Sequence, residues 1–356
     1  MPKTSQDFLL LQGRNFGDAV IGTGLIEALG NSFPDSHISV FTKPQFQSLH
    51  LNNPHVSAVY TANFPTGTGR QFGVWEAIGL LREIWSLRKC GFTRVIHIEG
   101  DFRENIFGWL ISPMGVVSPE WAQGHPFHQL IRDGLSMLRL HPVPIGINEL
   151  SIYTAQERVA EALGATAPCQ PRLYADNGKK IIYTPEGNIV GLHVSASQEF
   201  KRWPVSFWRD LILGIRARGM SVKIFASPEE RADILADYGD MVNSTVEIVT
   251  GSLGEFFLEL SRVRTVVCLD SFSVHAAHAI GVPCLMLNGA HLAALCVPPT
   301  AFVIDGGQGL SCAPCMNKPT CRDSSRPYQC MRNISPNAVL EAFDVLDSRQ
   351  ISPETV

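Results

Sequence analysis

The chain opens on an unbroken apolar run of strand length, Phe8-Leu9-Leu10-Leu11. It turns polar and glycine-containing through Gln12-Gly13-Arg14-Asn15-Phe16-Gly17-Asp18, then takes up a helical apolar period from Ile21 to Leu29. That succession predicts strand, turn and helix. The alternation continues with short strands at His37 to Thr42 and Val56 to Tyr60, a helical segment between them at Gln45 to Leu51, and a fourth strand at Arg94 to Ile98. Phe64 to Arg70 has loop chemistry. Val74 to Lys89 carries Val74, Ile78, Leu81, Trp85 and Leu87 with Arg82, Glu83, Arg88 and Lys89 between them, which predicts an amphipathic helix packed on the sheet. A membrane-surface role for its tryptophan and basic residues is the alternative. Trp121 to Leu140 contains a helix from about Phe127, and neither His125 nor His128 has a metal partner at useful spacing.

From Ala165 to Asn188 the pattern breaks into proline, glycine and polar residues, the composition of an inter-domain connection. A second alternating set follows. Its strands are expected at Ile189 to Val194, Ser221 to Phe225, Val246 to Val249, Thr265 to Leu269, Val282 to Leu287 and Ala301 to Ile304. Helices are expected at about Val205 to Arg218, Glu229 to Tyr238, Leu253 to Ser261 and Ser273 to Ile280. Strands alternating with helices imply parallel sheets covered on both faces. The expected division is residues 1–175, residues 176–335, and a closing segment 336–356 with a helix at about Pro336 to Leu346.

Composition narrows the class. A length of 356 residues exceeds what one core usually serves, which favours two domains. Apolar residues at 45% and charged residues at 17% are those of an ordinary globular protein, and a net charge of −4 argues against a general nucleic-acid binder. No stretch approaches the uninterrupted apolar length of a membrane span, and the start leads straight into a strand, so a cytosolic location is expected. Of nine cysteines, Cys90, Cys169, Cys268, Cys284 and Cys296 are scattered and read as buried thiols. Cys312, Cys315, Cys321 and Cys330 form C-x2-C-x5-C-x8-C, a spacing able to fold around structural Zn²⁺ or Fe; free or paired thiols in a surface loop are the alternative.

Candidate chemistry gathers at strand ends. Asp18 stands where the first helix begins, placed either to cap its N–H groups or to act as a general base. Glu99-Gly100-Asp101-Phe102-Arg103-Glu104-Asn105 lies at the carboxyl end of the fourth strand, where ligands of open α/β sheets collect. Arg103 there is either a contact to an anionic substrate or a surface ion pair with Glu99 or Glu104. In the second half, Ser195 to Pro204 follows a strand and carries two hydroxyls and the Lys201-Arg202 pair, a solvated pair being the alternative. A buried strand also ends in Asp270-Ser271, with a helix beginning near Ser273 whose positive end suits an anion. Asp270 as an N-cap and His275 as a satisfied core histidine remain open. Walker-type phosphate loops, a clean Gly-x-Gly-x-x-Gly and a strand-end Asp-x-Asp pair are missing, which disfavours a Rossmann oxidoreductase and a catalytic divalent cation.

Gly17-Asp18, Pro34 and Asp35, the strand Ile38-Ser39-Val40-Phe41 and Asn53-Pro54 together resemble the opening of glycosyltransferase family nine, the ADP-heptose:lipopolysaccharide heptosyltransferases. Lys201-Arg202-Trp203-Pro204 resembles that family's lysine-x-tryptophan-proline signature. Asp270-Ser271-Phe272-Ser273-Val274-His275, followed by an Ala-rich helix and Gly281-Val282-Pro283, resembles its aspartate-serine-glycine-x-x-histidine stretch, with Phe272 in place of the usual glycine. The resemblance extends over nearly the whole chain. It implies α/β GT-B architecture: two Rossmann-like domains with parallel sheets facing a central cleft, and a closing helix that crosses back to the first domain. It implies Asp18 as catalytic base, with Asn15 and Arg103 toward the acceptor. Lys201 would bind the donor diphosphate, helped by Ser195, Ser197, Asp270, Ser271, Phe272 and His275, and Glu230 would hold the ribose. Some members carry a cysteine-bound iron, which the four-cysteine segment would match.

The activity so implied is inverting, metal-independent transfer of a sugar, ADP-heptose being the expected donor, to a cell-envelope glycan such as lipopolysaccharide core. The acceptor could also be lipid-linked or a protein hydroxyl, and peripheral contact with the inner face of a bacterial inner membrane is compatible. A nucleotide-sugar-binding module without transfer activity is the reading from another class.

Overall fold

The computed structural model describes residues 6–66, 72–99, 101–112, 115–121, 141–146, 149, 151–316 and 318–351. The helix expected from Phe127, with His125 and His128, lies outside them. The chain divides between Lys179 and Lys180 into two compact units. That is a few residues beyond the expected boundary.

The first unit is built on β1 (Asp7–Gln12), β2 (His37–Thr42), β3 (Val56–Thr61), β4 (Arg94–Ile96), β5 (Val116–Trp121) and β6 (His141–Ile145), in the order β3-β2-β1-β4-β5-β6, every pair parallel. Its helices are α1 (Phe16–Ser32), α2 (Gln47–Leu51), α3 (Val74–Arg88), α4 (Phe102–Ile111) and α5 (Ile152–Ala162). The second unit carries β7 (Ile189–His193), β8 (Ser221–Ala226), β9 (Val246–Thr250), β10 (Thr265–Leu269), β11 (Cys284–Asn288) and β12 (Ala301–Asp305), in the order β12-β11-β10-β7-β8-β9, again all parallel. Around it run α6 (Val205–Ala217), α7 (Arg231–Tyr238), α8 (Leu253–Arg262), α9 (Phe272–Ile280), α10 (Ala293–Cys296), α11 (Gln329–Asn333) and α12 (Pro336–Ile351).

Numbered within its own unit, each sheet has the strand order 3-2-1-4-5-6, the doubly wound Rossmann arrangement. The order reverses between β1 and β4 in one unit and between β7 and β10 in the other. The central strands explain why the sequence reads so clearly there: Phe8 to Leu11 and Val266 to Leu269 are essentially unexposed, because a parallel sheet is covered on both faces. Helix α1 lies very close to β1. A Cβ on Gly22 would press into the end of the buried Gln12 side chain, which would have to move aside.

Strands β5 and β6 escape sequence reading because Pro119, Pro142 and Pro144 interrupt them; β6 tolerates its prolines at the sheet edge. The face of α3 corrects the expected packing. The residues that bury are Leu80, Ile84 and Leu87, which join Leu9, Leu11 and Phe41, whereas Val74, Ile78, Leu81 and Trp85 point to solvent. Among the scattered cysteines, Cys268 and Cys284 are buried, while Cys90 is exposed and Cys169 and Cys296 are half-buried. The closing helix α12 packs along α6 of the second unit: Val339 and Phe343 enter its core, Asp344 pairs with Arg218 at 2.7 Å, and Asp347 pairs with Arg264.

Candidate active site

In the second unit the loop after β7 and the loop after β10 meet across the point where strand order reverses. The first loop is fixed from below. Trp203 is buried, its indole N–H donates to the Ile334 carbonyl at 2.9 Å, and its ring meets Trp208 edge-on at 4.9 Å. Arg202 Nε donates to the Ala196 carbonyl at 3.0 Å, closing the loop on itself. Lys201, at the end of a short 3₁₀ turn (Glu199–Lys201), is thereby held with its ammonium 2.9 Å from Asp270 Oδ2.

Asp270 follows β10, and its Oδ2 also lies 2.5 Å from His291 Nδ1. That distance requires the Nδ1 hydrogen to point at the carboxylate, so the approach of Lys201 to the same nitrogen, 3.3 Å, is a contact between two donors around one acceptor. Burial alone would raise the Asp270 carboxyl. The His291 hydrogen bond and the Lys201 charge overcome it and hold Asp270 well below the usual carboxylate range. Asp270 is therefore an anion that anchors the two groups beside it, and Lys201 retains further N–H donors for a second anionic partner.

Helix α9 begins at the same place. Ser271 is its N-cap residue and its hydroxyl lies 2.7 Å from that of Ser273. His275 is buried, and burial pushes its imidazole down to about 4, so it is neutral at pH 7. Phe272 lies in an aromatic group, edge-on to His193 at 5.3 Å and tilted against Phe256 at 5.3 Å. Its ring thus packs against the last residue of β7 and against α8.

Ser195 is half-buried and Ser197 exposed. A hydrogen bond from Ser195 helps hold the Glu230 carboxyl below its usual range against the burial that would raise it, and Glu230 also accepts from the Ser227 N–H at 3.0 Å. Glu229 is exposed. Ser195, Glu230, Arg202, Asp233, Tyr328 and Arg332 are among the residues lining a pocket of about 300 Å³. Of the two loop serines, Ser195 is the one beside the Glu230 carboxylate.

In the first unit the corresponding reversal point lies between the loop after β1 and the loop after β4. Asp18 is the third residue of α1 and closes a capping box with Asn15: its Oδ2 accepts from the Asn15 backbone N–H at 3.2 Å and from Asn15 Nδ2 at 3.0 Å. The capping geometry is thus realised, with Asp18 half-buried rather than enclosed. Arg14 Nε pairs with Glu99 Oε2 at 2.7 Å across the reversal point. Burial, followed by the charges of Asp18 and Glu104, pushes the Glu99 carboxyl well above its usual range against the pull of Arg14. Lys43, buried, donates to the carbonyls of Arg14 and Thr66 at 2.7 Å each and ties three loops together.

Arg103 pairs with Asp101 rather than with Glu99 or Glu104. Its Nη2 lies 2.7 Å from Asp101 Oδ2, its Nε 3.0 Å from Oδ1, and its Nη1 donates to the Pro65 carbonyl at 2.7 Å. Glu104 is buried against Thr66 Oγ1 at 3.1 Å, with His97 Nδ1 3.6 Å away. Burial, then the charge of Asp101, raises it to about 7.

Cys312, Cys315 and Cys321 are half-buried and Cys330 is buried; burial, with the charges of the other three, pushes the Cys330 thiol up to about 11. Among the described residues, Asp270, His291 and Cys296 bring three metal-type ligand atoms within 4.8 Å of one another. His291, on the loop after β11, the strand beside β10, is the neighbour of Asp270 that sequence reading missed.

Two Rossmann-type halves of identical strand order, each with charged loops at its own reversal point, define the GT-B class of fold. Residues 156–324 match the family described as Glycosyltransferase family 9 (heptosyltransferase). Over 98% of this chain and 99% of the relative, the sequence is 29% identical to lipopolysaccharide heptosyltransferase 1 of Pseudomonas aeruginosa. A solved family 9 glycosyltransferase from Veillonella parvula superposes with a TM-score of 0.71 at 17% identity, covering 98% of this chain and 99% of that one. The heptosyltransferase WaaC of E. coli with ADP gives 0.70 at 15% identity, covering 96% and 100%. The chain is thus similar to glycosyltransferase family 9 in the sequence of residues 156–324 and shares the fold of its solved members.

Proposed function

We propose that the chain is an inverting heptosyltransferase that takes heptose from ADP-heptose and transfers it to a glycan of the lipopolysaccharide core. The observation that carries the reading is the cluster of Lys201, Asp270 and His291 at the start of α9. Breaking the anomeric bond leaves negative charge on a diphosphate, and an ammonium anchored by a buried carboxylate beside a helix N-terminus is suited to receive it. The family match over residues 156–324, and the name of a relative aligned over nearly its whole length, support the choice of sugar and acceptor. Ser195 and Glu230, beside the pocket lined by Tyr328 and Arg332, hold the nucleoside. Ser197, Ser271, Phe272 and His275 complete the donor side.

Asp18 takes the proton from the acceptor hydroxyl as that oxygen attacks the anomeric carbon from the face opposite the nucleotide. The hydrogen bonds from Asn15 orient its carboxylate, and Arg103 meets the anionic acceptor. The cationic charge comes from Lys201, so a divalent ion is not required. The test is a panel of ADP-, GDP- and UDP-sugars, read by melting temperature and by nucleotide release on adding acceptor, with and without chelator. Selective stabilisation by ADP-heptose and chelator-insensitive release of ADP are expected. Saturable binding without release would favour a non-catalytic module instead.

A further inference from the structure

The face of α3 that leaves the core has a composition unlike a solvated helix. Trp75 is 82% exposed and Trp85 64%, with Val74, Ile78 and Leu81 at least half exposed beside them. The helix is already anchored on the opposite side by Leu80, Ile84 and Leu87, so these five residues are not part of the core. At about 100° per residue, Val74, Ile78, Leu81 and Trp85 fall within about 60° of one another, and Trp75 borders them. Arg82, Arg88 and Lys89 fall in the same outward sector and are exposed. The acidic residues of the helix, Glu76 and Glu83, are half-buried and project from the other side, about 160° to 180° from the centre of the stripe.

Apolar and cationic side chains therefore share one face, and both helix carboxylates are turned from it. We propose that this face of α3 lies on the surface of an anionic lipid bilayer, with Trp75 and Trp85 seated at headgroup level and Arg82, Arg88 and Lys89 facing lipid phosphates. Amphipathic indole rings favour that depth, and basic residues add attraction to an anionic leaflet. Charge segregation selects this occupant: a second copy of the chain would bring the same cations against each other across a two-fold contact. The helix lies on the surface rather than crossing it, since none of the described helices is long and apolar enough to span a membrane. The proposal stands apart from the transfer reading, because its test needs neither donor nor acceptor.

The full chain is mixed with phosphatidylcholine vesicles and with vesicles containing phosphatidylglycerol, and followed by co-sedimentation and by tryptophan emission. Expected are binding to the anionic vesicles, a blue shift, quenching by lipids brominated along the acyl chain, and weakening with added salt. Trp75→Ser combined with Trp85→Ser should lower partitioning by about tenfold or more. Arg82→Gln with Lys89→Gln should lower it by about tenfold and flatten its salt dependence. Both variants should keep the wild-type melting temperature, since the altered residues are exposed. The lipid quenching needs no variant and stands if one fails to fold. Wild-type protein that stays in the supernatant overturns the proposal. So does equal binding to neutral and anionic vesicles, or a dimer in light scattering that the tryptophan variant dissociates.

Discussion

Replacing Lys201 by alanine separates the structural from the ligand-binding role of the donor loop. The ammonium is largely buried and lies 2.9 Å from Asp270 Oδ2. At an effective dielectric constant of about 20 the gross attraction at that distance is about 6 kcal/mol, much of which offsets desolvation of the two ions. Removing one partner of a buried pair costs about 3–5 kcal/mol when the other is stranded. Here His291 still meets Asp270 at 2.5 Å, so the expected loss lies below that range, at about 2 kcal/mol, the worth of a hydrogen bond to a charged group. Urea titration should show an earlier midpoint with an unchanged slope. Loss of a charge-assisted phosphate contact of similar size predicts ADP affinity weaker by about thirtyfold in calorimetry. Lys201→Arg should not restore it fully, since a planar fork does not reproduce a compact ammonium. A Lys201→Ala protein with wild-type stability and wild-type ADP affinity would refute both roles.

Trp203→Phe should destabilise the second unit by about 1–3 kcal/mol, because the buried Ile334 carbonyl loses its donor; a denaturant midpoint measures it. Glu104→Gln should act in the opposite direction and depend on pH. The Glu104 carboxyl is buried with a folded value of about 7 against an ordinary 4.5. A raised folded value means that the carboxyl's stabilising contribution is complete below about pH 4.5 and is lost as pH rises through 7. A neutral amide avoids that loss, so Glu104→Gln should gain about 2–3 kcal/mol over wild type at pH 8 and nothing at pH 4. Urea midpoints at the two pH values compare them, and a variant less stable at pH 8 contradicts the burial argument.

The sequence carries the sheet wherever burial on both faces leaves an uninterrupted apolar run, as at Phe8 to Leu11 and Val266 to Leu269, and loses it where proline breaks the pattern, as in β5 and β6. Loop chemistry at strand ends located Lys201 and Asp270, because strand topology brings those loops together across the reversal point. His291 was not legible for the converse reason: its meeting with Asp270 depends on how the loop after β11 folds, and one histidine after a strand carries no spacing signal. Spacing in the cysteine segment is a weaker guide for a related reason, since intervals along a loop do not fix where its thiols point. The α3 face was misread because apolar periodicity identifies a stripe without saying whether core or solvent receives it, and this helix has two.

Asp18→Asn gives the most direct measurement of the central claim, that a carboxylate of the first unit takes the acceptor proton while the second unit holds the donor. The amide oxygen can still accept from the Asn15 N–H, so the helix cap survives while the base is removed. With ADP-heptose and acceptor supplied, the account predicts unchanged ADP affinity and melting temperature with ADP release at least about a hundredfold slower. Release at the wild-type rate would contradict it.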